Sequence, residues 1–428
     1  MTVLHKTDAG RHGCDAPERV KTLISIDDAL RQIAEHVDAI NGAERLPIAQ
    51  ARGRILAEPV RACDMAPPFD NAAMDGFAIA CTTLTGAGPW TLPVVDRVPA
   101  GQVGKRDVSD AAAVRIFTGA PVPAGADAVI MQENVHQLRQ RIVIDHRPTP
   151  GTNIRRAGED LMTGQSVLQV GQCLTPRAIA ACAAAGCSTV TVRRRLRVAL
   201  LITGDEVQRA GQGRSAAGIW DVNTPMLSAE LDRPEIDLTS LCWGGDQRGD
   251  LIRLLSQMAK TADLLITTGG LSVGDEDHVR PALQILGGQM DFSGVAIKPG
   301  KPVSFGRLGT ARWLGLPGNP GAAFVAWHLF GRPLLRGLSG QRAPLHGRRH
   351  VVLGQSLRHT GGRCELRPAR IVDVDGVGRE IVHSDGATFS ARVGKLHDAD
   401  GLLFLPADAD ADDLTKGALI EFQPFCDT

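Results

Sequence analysis

The chain has 428 residues, more than one hydrophobic core comfortably fills, and points to two to four domains. Lys+Arg and Asp+Glu each number 47, so no global field steers the protein onto nucleic acid or an anionic membrane. Aromatics are 4% with no tyrosine, which argues against a base-stacking surface for single strands. Nine scattered cysteines without a CxxC pair suit reduced thiols in the cytoplasm, not a disulfide framework or a zinc site. The polar N-terminus carries no secretion signal, and no apolar run of about 18 residues predicts a membrane span.

In chain order, residues 1–24 read as a flexible tail. Ser25 then caps a helix in SIDDALRQIAEHV, with Ile26, Leu30, Ile33, Ala34 and Val37 at helical spacing. Gly53–Val60 looks extended. Residues 62–162 form a β-rich module with short runs at Trp90–Val95, Ala113–Thr118, Ala128–Gln132 and Arg141–Ile144. Pro176–Ala185 reads as a helix, with its proline at an allowed first-turn position. Between 196 and 338, apolar strands (LRVALLITG, IDLTSLCW, ADLLITTGG, Val295–Lys298) alternate with helical patterns at Pro225–Leu231, Gly249–Lys260, about Asp277–Leu286 and Ala322–Leu338. This pattern predicts a mostly parallel sheet covered on both faces. Beyond Gly340, short β runs at Arg349–Leu353, Cys364–Leu366, Ile371–Val374, Leu402–Leu405 and Ala418–Phe422 predict a barrel or sandwich.

Open α/β sheets bind ligands beyond the carboxyl ends of their strands. One strand here runs into Thr203-Gly204-Asp205-Glu206, the next ends near Trp243 before Gly244-Gly245-Asp246, and the third enters TTGGLSVGDED, from Thr267 to Asp277. Two bare carboxylates about 4 Å apart repel by roughly 4 kcal/mol at an effective dielectric near 20. Magnesium, which takes oxygen ligands and bridges carboxylates to phosphates, would offset that repulsion. Each Asp taken singly also fits a helix N-cap; the set together with the glycine loop fits a site. Gly269, Gly270 and Gly274 permit close backbone approach, with Thr268 and Ser272 as hydroxyl donors. Lys298-Pro299-Gly300-Lys301-Pro302 presents two ammonium groups on a stiff turn, and Pro317-Gly318-Asn319 leads into a helix whose N-terminus favours an anion.

In the β-rich module, PPFDNAAMDGFA (67–78) has neither helical nor strand periodicity and offers Asp70, Asn71 and Asp75. The stretch from Phe117 and Thr118 to Ala128 is a rigid Pro/Gly loop. Arg155, Arg156, Glu159 and Asp160 read, in isolation, as a solvated loop.

Together PPFDNAAMDGFA, TGAPVPAGADAVIMQE, RRAGED, TGDEV, TTGGLSVGDEDHV, IKPGKP and LPGNPGAA resemble the MoeA family of molybdopterin molybdenumtransferases, which includes the E domain of gephyrin. The resemblance runs from about Ser25 to the C-terminus. It implies a multidomain α/β plus β protein with four parts: an elongated, discontinuous linker and dimerisation domain (25–61 and 163–190), the β-rich module (62–162), a doubly wound MoaB/MogA-like molybdopterin-binding domain (191–341) and a C-terminal β-barrel (342–428). It further implies a homodimer that inserts molybdate into adenylyl-molybdopterin, releasing AMP with Mg2+. Partners would be a molybdopterin adenylyltransferase and the molybdoenzyme apoproteins or their chaperones. Catalytic residues carried over are Asp75, Thr118, Glu206, Asp246 and Asp277, with Asp246 and Asp277 on the metal. Substrate contacts are Thr203, Gly204, Gly269, Gly270, Ser272, Gly274, Lys298, Lys301, Pro317, Gly318 and Asn319, plus Arg367 from a GRxxFxR-like stretch. Three positions depart from the pattern: Gly294 replaces a commonly basic residue, Ala387 (beside Thr388) a serine, and Gly321 a valine. Two other readings remain at this stage. One is a CinA-type nucleotide pyrophosphatase; the other is a non-catalytic molybdopterin carrier or scaffold.

Overall fold

A computed structural model describes residues 23–108, 110–244, 247–271, 278–342, 347–386, 390–409 and 414–425. Contacts divide the chain into two compact units, Asn41–Arg194 and the remainder, in which residues up to Ile40 join those from Arg195 onward. The expected N-terminal tail lies almost wholly outside the described residues.

In the Asn41–Arg194 unit, antiparallel strands Ala43–Pro47 and Thr189–Arg193 and the pair Val60–Arg61 with Ser166–Leu168 pack on helix Pro176–Ala184. Thr175 caps that helix, its hydroxyl accepting from the Ala178 amide at 3.3 Å. The β-rich part is a six-stranded sheet in the order Ala128–Met131, Gly76–Ile79, Ala113–Ile116, Trp90–Val98, Arg141–Ile144, His136–Leu138. Gly76–Ile79 is a strand although PPFDNAAMDGFA carries no strand periodicity. All four of its residues are buried, so both faces are covered and no polar/apolar alternation marks the strand. Gly76 is required there, because a Cβ would sit 1.9 Å from the Ile130 carbonyl oxygen.

The other unit is built on a mixed sheet ordered Ile236–Gly244, Leu196–Thr203, Leu264–Thr268, Ala311–Leu316, Ser304–Leu308, Gln289–Ser293. Its first four strands are parallel and the last two pair antiparallel. Alternate side chains enter opposite cores. Leu196, Val198, Leu200 and Ile202 face one side with Leu227 and Leu231. Ala199 and Leu201 face the other with Leu251, Leu255 and Val279. Both faces are therefore wound with helices, as the apolar strand runs predict. Helix Ile26–His36 packs here through Ile26, Ala29 and Ile33 rather than with the strands that begin at Ala43. Its apolar stripe finds a core only on the α/β body, so the grouping of 25–61 into one linker does not extend to this helix.

The C-terminal strands Arg349–Leu353, Cys364–Val374, Glu380–His383, Gly401–Leu405 and Leu419–Pro424 pair in a closed circuit, a five-stranded barrel. Closure removes unpaired edges. Cys364–Val374 is continuous across Pro368, where the sequence predicts a break. The strand changes ladders just past it, Glu365–Ala369 pairing with Gly401–Leu405 and Arg370–Val374 with Glu380–His383, while Ser384 Oγ donates to the Pro368 carbonyl at 2.9 Å. Ile297–Lys298 pairs with this barrel strand, not with the α/β sheet.

Candidate active site

The four parallel strands end side by side: Thr203 is in register with Gly244, Ile202 with Thr268, and Thr268 with Leu316. The chain leaves Leu196–Thr203 for one neighbour and returns to the other, so the strand order reverses between Leu196–Thr203 and Leu264–Thr268. That reversal is where doubly wound sheets open a ligand crevice. Thr203 Oγ1 bridges it, donating to the Thr268 carbonyl at 3.0 Å. Gly269 and Gly270 follow at φ +84° and +62°, and a Cβ on Gly269 would lie 2.7 Å from Thr203 Oγ1. The Pro317-Gly318-Asn319 loop closes against them: a Cβ on Gly318 would be 3.4 Å from Gly269 Cα. Asn223 Nδ2 holds the Gly318 carbonyl at 2.8 Å, and Asn319 Nδ2 reaches Ser390 Oγ at 3.2 Å. Gly204, at φ +124°, lets the Glu206 carboxylate fold back over it, since a Cβ would stand 2.7 Å from Glu206 Oε2. The rim thus gathers Thr203, Gly204, Glu206, Gly269, Gly270 and Pro317–Asn319. Asp246, Ser272, Gly274 and Asp277 lie outside the described residues, as do Ala387 and Thr388.

The lysine turn meets the barrel. Lys298 Nζ lies 3.7 Å from Glu365 Oε2, while Lys301 is exposed. Glu365, 1% exposed, accepts from Arg367 Nε at 2.9 Å and from His359 Nδ1 at 3.0 Å, so that imidazole nitrogen carries the proton. A buried carboxylate survives only with such partners. Arg367 also donates to the Arg358 carbonyl and is 3% exposed, so it braces Glu365 instead of standing open to an anion.

Arg367 stands one residue short of the arginine position of GRxxFxR. In GRxxFxR the arginine stands six residues after the glycine, and six residues after Gly362 is Pro368. A one-residue slip in a strand reverses the face. Arg367 shares the face of Ala369 and Ile371, which enter the barrel core, whereas Leu366 enters the α/β core on the other face. Pro368 lines a cavity of about 570 Å3 with Arg370, Ser384, Asp385, Arg392 and Lys395.

Arg280 is a residue the sequence reading missed. From helix Val279–Ile285 it donates to the Pro302 carbonyl at 3.3 Å and to Ser304 Oγ at 3.1 Å, bracing the end of the lysine turn. Nothing local marks it, because its partners lie on another strand. Gly294, where a basic residue is commoner, sits at φ +96°, and a Cβ would press within 2.8 Å of Leu23 Cδ2.

In the other unit, the structure brings Asp75 and Thr118 together. Asp75 Oδ1 accepts from the Thr118 amide at 2.8 Å and from its hydroxyl at 2.7 Å. These two bonds, with the positive charge of Arg115, hold the Asp75 carboxyl below its ordinary value. Arg115 is fixed by Gln132 Oε1 at 2.5 Å and lies over the rings of Phe77 and Phe117, each 4.9 Å away, with Arg97 also over Phe117 at 4.6 Å. Asp70 likewise sits low, bonded first by the Ala157 amide at 2.8 Å and then by Arg156 Nη1 at 2.6 Å. The Arg155–Asp160 stretch is therefore more than a solvated loop. Arg156 ties it to the PPFD segment, and Glu159 Oε2 accepts from the Arg156 amide at 2.9 Å.

A glycine-lined rim at the reversal of a doubly wound sheet defines an α/β protein of the kind that takes ligands beyond its strand ends. Two family profiles match: the MoeA N-terminal region (domain I and II) over residues 24–186 and a probable molybdopterin binding domain over 199–337. Molybdopterin molybdenumtransferase 2 of Mycobacterium tuberculosis is 34% identical over 392 residues, covering 90% of this chain and 96% of that protein. Molybdopterin molybdenumtransferase of Haemophilus influenzae is 36% identical over 321 residues, 75% of this chain and 79% of its own. The crystal structure of the molybdopterin biosynthesis moeA protein from Pyrococcus horikoshii OT3 superposes with a TM-score of 0.81 at 26% identity, covering 94% of this chain and 100% of that one. The chain belongs to the molybdopterin molybdenumtransferase (MoeA) family, transferases of molybdenum cofactor biosynthesis.

Proposed function

We propose that this chain inserts molybdate into adenylyl-molybdopterin with Mg2+-dependent release of AMP. The observation that carries the reading is the Thr203–Thr268 crevice, walled by positive-φ glycines that admit a pyrophosphate against the backbone. Thr203, Gly204, Gly269, Gly270 and Pro317–Asn319 would receive the substrate's phosphates there, and Ser272 and Gly274, next in the sequence, would add to them. Asp246 and Asp277, which follow Gly244 and Thr268 in the sequence, are hard oxygen donors of the kind magnesium prefers, and the ion would neutralise charge on the pyrophosphate. Lys298 and Lys301 attract the molybdate dianion. Glu365, held by Arg367 and His359, fixes where the Lys298 ammonium sits. Asp75 is kept ionised by Thr118 and orders water or takes a proton as oxo groups leave. Glu206 would serve in the same way at the α/β rim.

The working form would be a homodimer. A molybdopterin adenylyltransferase would supply its substrate, and molybdoenzyme apoproteins or their chaperones would take its product. Nucleic acid would not be a partner. The setting proposed is the cytoplasm, without membrane partners; no helix among the described residues is long and apolar enough to cross a membrane. Pure protein given adenylyl-molybdopterin, Mg2+ and molybdate should release AMP in step with the appearance of active cofactor. AMP release from a nicotinamide dinucleotide without any pterin would favour a pyrophosphatase. Tight pterin binding without molybdate-dependent turnover would favour a carrier.

A further inference from the structure

Cys63 and Cys187 stand apart from the site just described, and their sulfurs are 3.4 Å apart across 124 residues of sequence. Cys63 is exposed and Cys187 half-buried, so a small oxidant reaches the first and not readily the second. The backbones beneath them are already clamped: the Cys63 amide donates to the Ala185 carbonyl at 2.8 Å. Gly186, at φ +74°, leaves only 3.6 Å between a Cβ placed on it and the Cβ of Cys63. Both thiols turn toward one acceptor, the Arg61 carbonyl, at 4.0 Å from Cys63 and 3.2 Å from Cys187. A disulfide needs the sulfurs at about 2.0 Å, so the two Sγ atoms must close from 3.4 Å.

We propose that Cys63 and Cys187 form an oxidation-sensitive dithiol site whose reactant is hydrogen peroxide and whose product is an intramolecular disulfide. The Cys63 thiolate attacks a peroxide oxygen, the O–O bond breaks, and the departing hydroxide takes a proton to become water, leaving Cys63 as sulfenic acid. The Cys187 sulfur then attacks the Cys63 sulfur. The S–O bond breaks, and the hydroxide leaves as water with the Cys187 proton. Two thiols lose two electrons in all, and the peroxide becomes two waters. Burial, and then the hydrogen bond with Cys63, push the Cys187 thiol up to about 11. Cys187 is thus the poorer nucleophile as well as the less exposed sulfur, and Cys63 is the one oxidised first. The bond would latch the start of the segment that leads to Asp75 onto the turn after helix Pro176–Ala184.

The test treats the full-length protein with hydrogen peroxide and maps its peptides under non-reducing conditions. The expected product is one protomer lighter by two hydrogens, with the Cys63 peptide joined to the Cys187 peptide, reversed by dithiothreitol and lost in both Cys63→Ser and Cys187→Ser. Its thermal midpoint should exceed that of the reduced form by several degrees, whereas oxidised Cys63→Ser should show no rise. Sulfinic acid accumulating on Cys63 without a crosslink, or a crosslink to another cysteine or another protomer, overturns the proposal. Cys63→Ser should leave turnover in reducing buffer unchanged.

Discussion

Asp75 Oδ1 takes both polar hydrogens of Thr118, the amide at 2.8 Å and the hydroxyl at 2.7 Å. Thr118→Val keeps the first bond and removes the second, so the Asp75 carboxyl should titrate higher than in the parent. A carboxyl lowered on folding contributes stability above its unfolded value, lost as pH falls through the folded one. The acid limb of the pH–rate profile should therefore move upward. AMP release at neutral pH should fall about tenfold, the worth of one charge-assisted hydrogen bond. Thr118→Ser should restore both. An unmoved acid limb would remove Asp75 from the chemistry.

Glu230 offers a second titration in the α/β unit. Burial is the largest influence and raises its carboxyl, but bonds from Arg332 (2.8 and 3.0 Å) and the Trp327 indole (3.0 Å) together outweigh it, leaving the group below its ordinary value. Its contribution should be complete at neutral pH and decline as pH drops beneath the unfolded carboxyl value of about 4.3. Glu230→Gln keeps the shape but loses the charge opposite a mostly buried Arg332, a change on the order of 3 kcal/mol. Urea unfolding at neutral and acidic pH should show the variant weaker at neutral pH, with the gap narrowing toward acid. A constant gap would assign the loss to packing.

The parallel strands were legible because runs such as LRVALLIT are buried on both faces and rich in Val, Leu and Ile. Gly76–Ile79 is buried just as fully, but GFAI is too short and too rich in small residues to announce a strand. The Arg156–Asp70 pair spans 86 residues and belongs to tertiary structure alone. Arg367 shows a finer limit. The motif identified the right strand, but side-chain direction depends on a single residue of register, and only pairing to Gly401–Leu405 fixes it. The rim was legible as glycines at strand ends. Glu365, which governs Lys298, was not, because a lone acid in a strand carries no sign of the Lys298, Arg367 and His359 side chains around it.

Gly269 should not tolerate a side chain. Gly269→Ala incurs the left-handed penalty of about 1–2 kcal/mol and drives its Cβ to 2.7 Å from Thr203 Oγ1 and 3.1 Å from the Thr203 carbonyl oxygen. Gly309→Ala is the control, with φ +59° and nothing within 4 Å of the added carbon, so it carries the conformational penalty alone. Thermal unfolding should place Gly269→Ala several degrees below Gly309→Ala, a difference that isolates the clash. Titration with adenylyl-molybdopterin should show binding weakened at least tenfold in Gly269→Ala and unchanged in Gly309→Ala. Equal affinities would move the ligand away from the crevice.

Pro368 faces the 570 Å3 cavity at the position where GRxxFxR calls for its arginine. Proline has no amide hydrogen to lose, and its carbonyl bond from Ser384 at 2.9 Å does not involve the ring. Pro368→Arg should therefore fold, adding a guanidinium to a wall that carries Arg370, Arg392 and Lys395 beside Asp385 and Asp398. A planar fork of donors suits a tetrahedral oxyanion. The molybdate concentration giving half-maximal AMP release should fall about tenfold, with a weaker response at high salt because this wall is open to screening. Arg367→Lys should act differently. It breaks the bond to Glu365, lowers the urea midpoint, and affects molybdate only through the displaced Lys298. If Pro368→Arg leaves the molybdate dependence unchanged while Arg367→Lys alters it without loss of stability, then Arg367 itself, not the residue beside it, meets the oxyanion.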